Sequence, residues 1–159
     1  MCQDRRLLQL LCRVCAQAPS KEAWMPFLRT QVLPAVTLAN GGAPLLYELW
    51  ECIQTLPYPQ RYSLYGEWKH RSTKRPELRY AKMRTEREAR GILRRISSDN
   101  VRASGRGLAK AAHAHPTVFF EVVLHQIQSY DNLIEPVVDS AKYLTPLEYD
   151  VLTLSLIHI

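Results

Sequence analysis

The chain has 159 residues, of which 47% are hydrophobic and 23% are charged, and its formal net charge at pH 7 is +6. This composition is ordinary for one globular domain and excludes a chain that is disordered over most of its length. Only 6 residues are glycine, and the long runs between turn signals argue against an all-β fold. No stretch approaches the ~18 apolar residues of a membrane span, and no secretory signal pattern is present, so an intracellular protein is expected.

The first third of the sequence shows helical periodicity. Residues 4–17 place apolar side chains on one broad face of a helix. Ser20 is expected to cap the second helix, and Pro34 is expected to kink or break it. Residues 40–44 contain the turn residues that end this segment, and residues 45–56 predict a further helix.

The middle of the sequence changes from aromatic to basic. Residues 60–69 predict a short amphipathic helix, and residues 70–76 form a polar, basic connector. A basic helix is predicted over residues 77–96. Its apolar seam is narrow, which indicates a helix that touches the core along one line; the seam consists of Leu78, Ala81, Thr85, Ala89, Ile92 and Ile96.

The last third again predicts helices joined by short turns. Residues 97–103 are expected to form a loop, after which Ser104 caps a helix that runs through residue 112. Thr117 is expected to cap a helix over residues 118–130 that is packed on two sides, and residues 132–143 predict another.

Thr145, Pro146 and Glu148 then match a capping box at the start of the final helix. The resulting fold class is all-α. Because some helices are apolar on two faces, we predict stacked antiparallel helix pairs, an α-solenoid-like segment of a larger protein.

The four cysteines, Cys2, Cys12, Cys15 and Cys52, lie among helix-forming residues and not in a disulfide framework. Cys12 and Cys15 form a C-x-x-C pair. A zinc site would need a second pair at ligand spacing, and a thioredoxin-like site would need a preceding strand. We therefore interpret the cysteines as buried thiols that pack as small hydrophobic side chains.

The sequence offers no recognisable catalytic pattern. Residues 104–110 lack the spacing of a phosphate-binding loop, and His113 and His115 are two residues apart, so their side chains diverge on a helix. No carboxylate pair or nucleophile constellation stands out. We predict that the chain is not an enzyme and has no catalytic, cofactor-binding or metal-binding residues, no cofactor and no small-molecule substrate.

Positive charge is concentrated in residues 61–110, which hold 15 Lys and Arg against 5 Asp and Glu. Candidate contacts to a nucleic acid or an acidic partner are Lys69, Arg71, Lys74, Arg75, Arg94, Arg95, Arg102 and Arg106. The alternative is a solvated helix face. That alternative is favoured because residues 69–110 contain no RNA-binding motif and, beyond Tyr80, no aromatic residue that could stack on a base.

Seven segments, in this order, resemble the THO complex subunit 2 family. They are residues 59–69, the basic helix that follows, and residues 99–107, 115–117, 126–134, 136–140 and 142–145. The resemblance covers roughly residues 20–152 and implies a helical scaffold of a nuclear complex. Other THO subunits, an RNA helicase and mRNA-export adaptors are the implied partners, with RNA as a further candidate through the basic stretch.

The resemblance divides the chain into two helical segments, residues 1–58 and residues 59–152. Residues 153–159 depart from the family pattern and are expected to be a non-native tail. Within the second segment, Tyr62, Tyr65 and Trp68 are the candidate structural junction, since aromatic side chains bury large areas and fix how one helix seats on the next. A stand-alone basic module that binds RNA or DNA non-specifically is the alternative function.

Overall fold

The computed structural model describes residues 4–71, 73–97 and 100–158, apart from the side chain of Lys21. The helices of this part are α1 (Arg5–Gln17), α2 (Lys21–Phe27), α3 (Leu33–Ala39), α4 (Gly42–Ile53), α5 (Tyr58–Arg71), α6 (Pro76–Leu93), α7 (Val101–Ala114), α8 (Pro116–Ser129), α9 (Ile134–Ala141) and α10 (Pro146–Ile157). A π-helical turn, Leu28–Val32, joins α2 to α3, and a 3-10 turn, Asp131–Leu133, precedes α9. Because the described residues contain no strand, the all-α prediction is confirmed.

The first helix buries the apolar face that its pattern predicts, and Asp4 caps its start. The Asp4 carboxylate accepts hydrogen bonds from the backbone N–H groups of Arg6 and Leu7, at 2.8 and 3.2 Å. Cys12 and Cys15 are buried on α1, and Cys52 is buried on α4, which packs against α1. The burial predicted for the cysteines is confirmed for these three, while Cys2 lies outside the described residues.

The predicted break at Pro34 takes the form of the π-helical turn that ends immediately before α3. Pro34 occupies the first turn of α3, where a missing N–H costs little. Asn40 then ends α3 in the left-handed conformation at φ +47°. Ser20 occupies the predicted N-cap position before α2. Its side chain makes no capping hydrogen bond within the described residues, so that part of the prediction is wrong.

Two cap predictions in the second half are also wrong. Helix α7 begins at Val101, so residues 101–103 are helical, and Ser104 lies in the first turn. Its hydroxyl donates to Asn100 Oδ1 at 2.9 Å, and the same oxygen accepts from the Ser97 N–H at 2.9 Å. Thr117 lies inside the first turn of α8, which is preceded by His115. Residues 98 and 99 of the predicted loop lie outside the described part.

The capping box at the last helix is confirmed. Thr145 Oγ1 accepts from the Glu148 N–H at 3.4 Å, and Glu148 Oε2 accepts from the Thr145 N–H at 2.6 Å. Both residues are buried. Helix α8 is buried along nearly its whole first half, as its two-sided apolar pattern predicts.

One hydrophobic core extends across both predicted segments, from Leu8 on α1 to Val151 on α10. Helix α6 packs on α7 and α8, α7 packs on α9, and α8 packs on α10. Helix α4 contacts α7 and α10 as well as α1. The solenoid-like stacking is therefore not confirmed, and the division at residue 58 stays a prediction. Helix α10 continues to Ile157, and the non-native origin of residues 153–159 also stays a prediction.

None of the described helices has the length and apolar character of a membrane span. Across residues 4–71, 73–97 and 100–158, no group of three or more His, Cys, Asp or Glu side chains is placed to hold a metal ion.

Candidate assembly junction and basic surface

Trp68 connects α5 to α3 through a hydrogen bond inside the core. Its indole Nε1–H donates to Thr37 Oγ1 at 2.8 Å, and the Thr37 hydroxyl donates in turn to the Leu33 carbonyl at 3.3 Å. Trp68 and Thr37 are each 1% exposed. This hydrogen bond fixes the orientation of the indole ring. If the ring turned away, both Trp68 and Thr37 would lose a hydrogen bond that water cannot replace at this buried position.

One face of the Trp68 indole ring stacks on the imidazole ring of His115, the residue before α8. The two ring centroids are 5.3 Å apart with planes 20° from parallel, and His115 Nδ1 lies 3.2 Å from Thr117 Oγ1. Burial, and secondly the positive charge of Lys82, lower the pKa of His115 to about 3. At neutral pH the imidazole is therefore uncharged and packs as an aromatic ring.

Tyr65 connects α5 to α10. Its hydroxyl donates to Asp150 Oδ2 at 2.9 Å, and the Arg61 guanidinium donates to both oxygens of the same carboxylate, at 2.7 and 3.1 Å. Arg61 Nη1 also donates to the Leu56 carbonyl, beyond the end of α4, at 2.5 Å. Burial and the neighbouring Asp150 charge raise the pKa of Tyr65 above its ordinary value, and the hydrogen bond to Asp150 raises the pKa of Arg61.

Tyr62 lies at the edge of this cluster. It is half-buried, and its ring centroid is 5.7 Å from that of Tyr58 and 6.4 Å from that of Tyr65. Of the three candidate junction residues, Tyr65 and Trp68 therefore lie in the core and Tyr62 lies at its rim. Their partners Asp150 and His115 are 85 and 47 positions away, and no local sequence pattern identified them.

Four of the candidate contact residues lie around the turn from α5 to α6. Lys69 Nζ is 3.0 Å from Glu121 on α8, and Arg71 is 3.7 Å from Glu67, one helical turn earlier. Lys74 and Arg75 are exposed, and Arg75 immediately precedes α6. Half of this group is therefore engaged by carboxylates of the chain itself.

The other four candidates are exposed and lie at the far end of α6 and the start of α7. They are Arg94, Arg95, Arg102 and Arg106. Arg75 and Arg94 flank the two ends of α6, so the two groups are roughly 28 Å apart at 1.5 Å per residue. The eight residues do not form one compact patch.

The length of α6 between the two groups carries a cationic row, of which the predicted set includes only Arg94. Its members Arg79, Arg87, Arg90 and Arg94 are exposed and lie at i, i+8, i+11 and i+15, and the exposed Met83 lies between them at i+4. This spacing keeps them on one face of a helix.

Comparisons with known proteins bear on both halves of the chain. Residues 1–106 match a family model described as THO complex subunit 2 N-terminus. Residues 108–159 match a second one, described as Transcription- and export-related complex subunit. The chain belongs to the THO complex subunit 2 family.

Individual members of the THO complex subunit 2 family agree with this assignment. The chain is 46% identical over 127 residues to THO complex subunit 2 of Homo sapiens, 41% over 125 residues to that of Arabidopsis thaliana, and 30% over 132 residues to that of Saccharomyces cerevisiae. These alignments cover 79%, 79% and 82% of the chain but only 8%, 7% and 8% of the relatives. The chain thus spans less than a tenth of the length of the relatives it matches.

The two regions of the THO complex subunit 2 family meet inside one helix. The match boundary at residues 106–108 falls within α7, Val101–Ala114. Trp68 and Tyr65 belong to the first region, and their partners His115 and Asp150 belong to the second. We name the contacts of Tyr65 and Trp68 with Asp150, Thr37 and His115 the α5 junction. In this member of the family these contacts connect the two regions.

Proposed function

We propose that the chain is a scaffold segment of the nuclear THO complex, which couples transcription with mRNA processing, packaging and export. The observation that carries this proposal is the match of both halves of the chain to THO complex subunit 2. The partners would be other THO subunits, an RNA helicase and export adaptors, bound on helix faces. In this role the chain itself performs no chemical reaction.

The α5 junction supports a scaffold role because it makes the relative positions of several helices depend on one another. Trp68 contacts Thr37 on α3 and His115 before α8, and Tyr65 contacts Asp150 on α10. Helices fixed in this way present their outer faces at constant distances and angles. A partner that touches two of those faces then binds a preorganised surface.

Co-purification from nuclear extract tests the assembly role. The full-length parent protein would be tagged, and recovery of other THO subunits would be compared between wild type and the Tyr65→Ala, Trp68→Ala double variant. Loss of these side chains should loosen the scaffold and lower recovery. A matched control is the Tyr47→Ala, Tyr58→Ala variant, which removes two exposed aromatic rings and should leave recovery unchanged.

Two outcomes would contradict the proposal. If the wild-type protein recovers no THO subunit, the assignment of this segment to an assembly role is wrong. If the double variant is still folded by circular dichroism and recovers all partners equally, the α5 junction has no part in assembly.

A stand-alone module that binds RNA or DNA non-specifically is the second candidate, and the exposed arginines of α6 favour it. Nuclease treatment of the extract separates the two functions. Partners held by protein contacts remain after RNA and DNA are digested, whereas partners tethered through nucleic acid are lost.

A further inference from the structure

Helix α6 has two unlike faces. Its buried side consists of Leu78, Ala81, Thr85, Ala89 and Leu93. Leu93 is therefore buried in place of the predicted seam residues Ile92 and Ile96, which are half-buried. The opposite side carries the cationic row defined above, together with Tyr80, which is 70% exposed, and Met83, which is 52% exposed. From Arg79 to Arg94 the row is roughly 22 Å long at 1.5 Å per residue.

The charges of the row are weakly compensated within the described chain. Arg90 lies 3.9 Å from Glu86, a carboxylate that Lys82 also approaches to 3.8 Å. Arg79, Arg87 and Arg94 form no ion pair with any described residue. Long exposed side chains of like charge repel one another along a helix, and an external anion would remove that repulsion.

A shallow groove of about 370 Å³ runs along this face. It is lined by Met83, Glu86, Arg87, Arg90, Gly91 and Arg94. Glycine in a helix interior costs about 1 kcal/mol relative to alanine. At Gly91 an added Cβ would meet only the end of the Arg95 side chain, at 3.8 Å, so packing does not require glycine there. The missing side chain at Gly91 opens a notch between the guanidinium groups of Arg87, Arg90 and Arg94.

We propose that this row binds the backbone of single-stranded RNA, with one phosphate held in the notch at Gly91. Guanidinium groups donate paired hydrogen bonds to phosphate oxygens. They also displace the counterions condensed on the nucleic acid, and the release of these counterions drives binding. Tyr80 supplies a free aromatic face on which an unpaired base stacks, as in other single-strand surfaces. An acidic protein helix fits less well, because it would need an apolar seam beside its charges and the row offers only Met83 and Tyr80.

Fluorescence anisotropy with a labelled oligouridylate tests the proposal on the 159-residue chain. The Arg87→Gln, Arg90→Gln, Arg94→Gln variant should bind roughly tenfold more weakly at moderate salt. Its slope of log affinity against log salt should fall by about 2, since each phosphate neutralised on a single strand contributes roughly 0.7. The matched control is Arg6→Gln, Lys110→Gln, Lys142→Gln, which removes the same charge from exposed positions outside the row and outside the candidate contacts. Its affinity for the oligouridylate should fall much less.

Gly91→Gln separates shape from charge. It fills the notch with a neutral, helix-favouring side chain, and it should weaken binding severalfold while leaving the salt slope nearly unchanged. Circular dichroism and thermal unfolding establish that each variant is folded, since all the substituted side chains other than that at Gly91 are exposed.

Several results would overturn the proposal. Equal losses in the two triple variants would mean that affinity follows net charge and not the row. Unchanged binding in Gly91→Gln would show that no phosphate is held in the notch. Competition by polyglutamate as effective as that by the oligonucleotide would make the row an acidic-protein site, and equal affinity for duplex RNA would exclude the single-strand assignment. The proposal does not rest on the assembly role, because a variant that loses RNA can retain every THO subunit.

Discussion

The indole nitrogen of Trp68 lies 2.8 Å from the hydroxyl oxygen of Thr37, across the contact between α5 and α3. The two residues are 31 positions apart, and each is 1% exposed. The threonine hydroxyl is itself a donor to the Leu33 carbonyl, so the chain Trp68–Thr37–Leu33 satisfies polar groups that water cannot reach. A buried donor left without its acceptor costs about 1–3 kcal/mol.

Substitutions at Trp68 should separate its packing from its hydrogen bond. Trp68→Phe keeps an aromatic ring but deprives Thr37 of its donor, and it should lower the free energy of unfolding by about 1–3 kcal/mol. Trp68→Ala should lower it by about 3–5 kcal/mol because it also leaves a cavity. Urea unfolding followed by circular dichroism measures both values.

The control for Trp68 is Tyr58→Ala, at a side chain on the same helix that is 64% exposed, and its effect should stay within about 0.5 kcal/mol. Thr37→Val added to Trp68→Phe should recover part of the loss, since both polar groups are then gone. A Trp68→Phe protein as stable as wild type would show that the hydrogen bond contributes nothing.

Replacing the carboxylate of Glu148 on α10 should lower the free energy of unfolding. It is fully buried and accepts hydrogen bonds from the N–H and hydroxyl of Thr145, at 2.6 and 2.8 Å. Its other oxygen lies 2.7 Å from His113 Nδ1 on α7. Glu148→Gln should therefore lower the free energy of unfolding by about 2–3 kcal/mol, as charge-assisted hydrogen bonds are lost.

Glu135→Gln is the matched control, because that side chain is exposed and lies in the first turn of α9. Guanidinium unfolding at neutral pH compares the two variants. Equal stability of Glu148→Gln and Glu135→Gln would mean that the capping box and the α7–α10 contact do not depend on the carboxylate charge.

Helix periodicity alone predicted the all-α fold and most helix positions, because each helix buries one continuous apolar stripe. Caps were predicted correctly where one local solution exists, as at Thr145, whose box partner Glu148 is three residues away. The prediction at Ser104 failed because asparagine and serine have similar N-cap preferences. Asn100 occupies the N-cap position of α7, although its side chain makes no capping hydrogen bond there.

The candidate site was predicted less completely than the fold. Burial of Trp68 and Tyr65 follows from their places on an apolar helix face. Their partners do not, since Asp150 and His115 become neighbours only when helices distant in sequence pack together. The cationic row of α6 is a different case, because its spacing is local and could have been found by sorting arginines by helix face.

An apolar stripe on α1 should make the chain self-associate. Leu7, Leu10 and Val14 are 46%, 55% and 54% exposed, and their spacing at i, i+3 and i+7 places them on one face. Leu10→Lys with Val14→Lys should lower the apparent mass at high concentration without lowering stability. Analytical ultracentrifugation over a concentration series measures this.

The control for the α1 face is Gln54→Lys with Gln60→Lys, which adds the same charge at exposed positions outside that helix. If both double variants reduce association equally, net charge is the cause and the apolar stripe is not. A wild-type chain that remains monomeric at high concentration would contradict the prediction directly.

His115 should make stability depend on pH. Burial, and secondly the charge of Lys82, lower its pKa in the folded chain from 6.5 to about 3. Between these two values the unfolded chain binds a proton that the folded chain does not. The contribution of His115 is therefore fully present above about pH 6.5 and is lost progressively as pH falls toward 3, by up to roughly 1.4 kcal/mol per pH unit.

Urea midpoints at several pH values between 7 and 4, for wild type and His115→Gln, measure this dependence. The variant should be less stable at pH 7, because glutamine cannot stack on Trp68, but its stability should fall less steeply as pH decreases. Because the other titrating groups are common to both proteins, parallel curves for wild type and His115→Gln would show that the imidazole is not held uncharged beside Trp68.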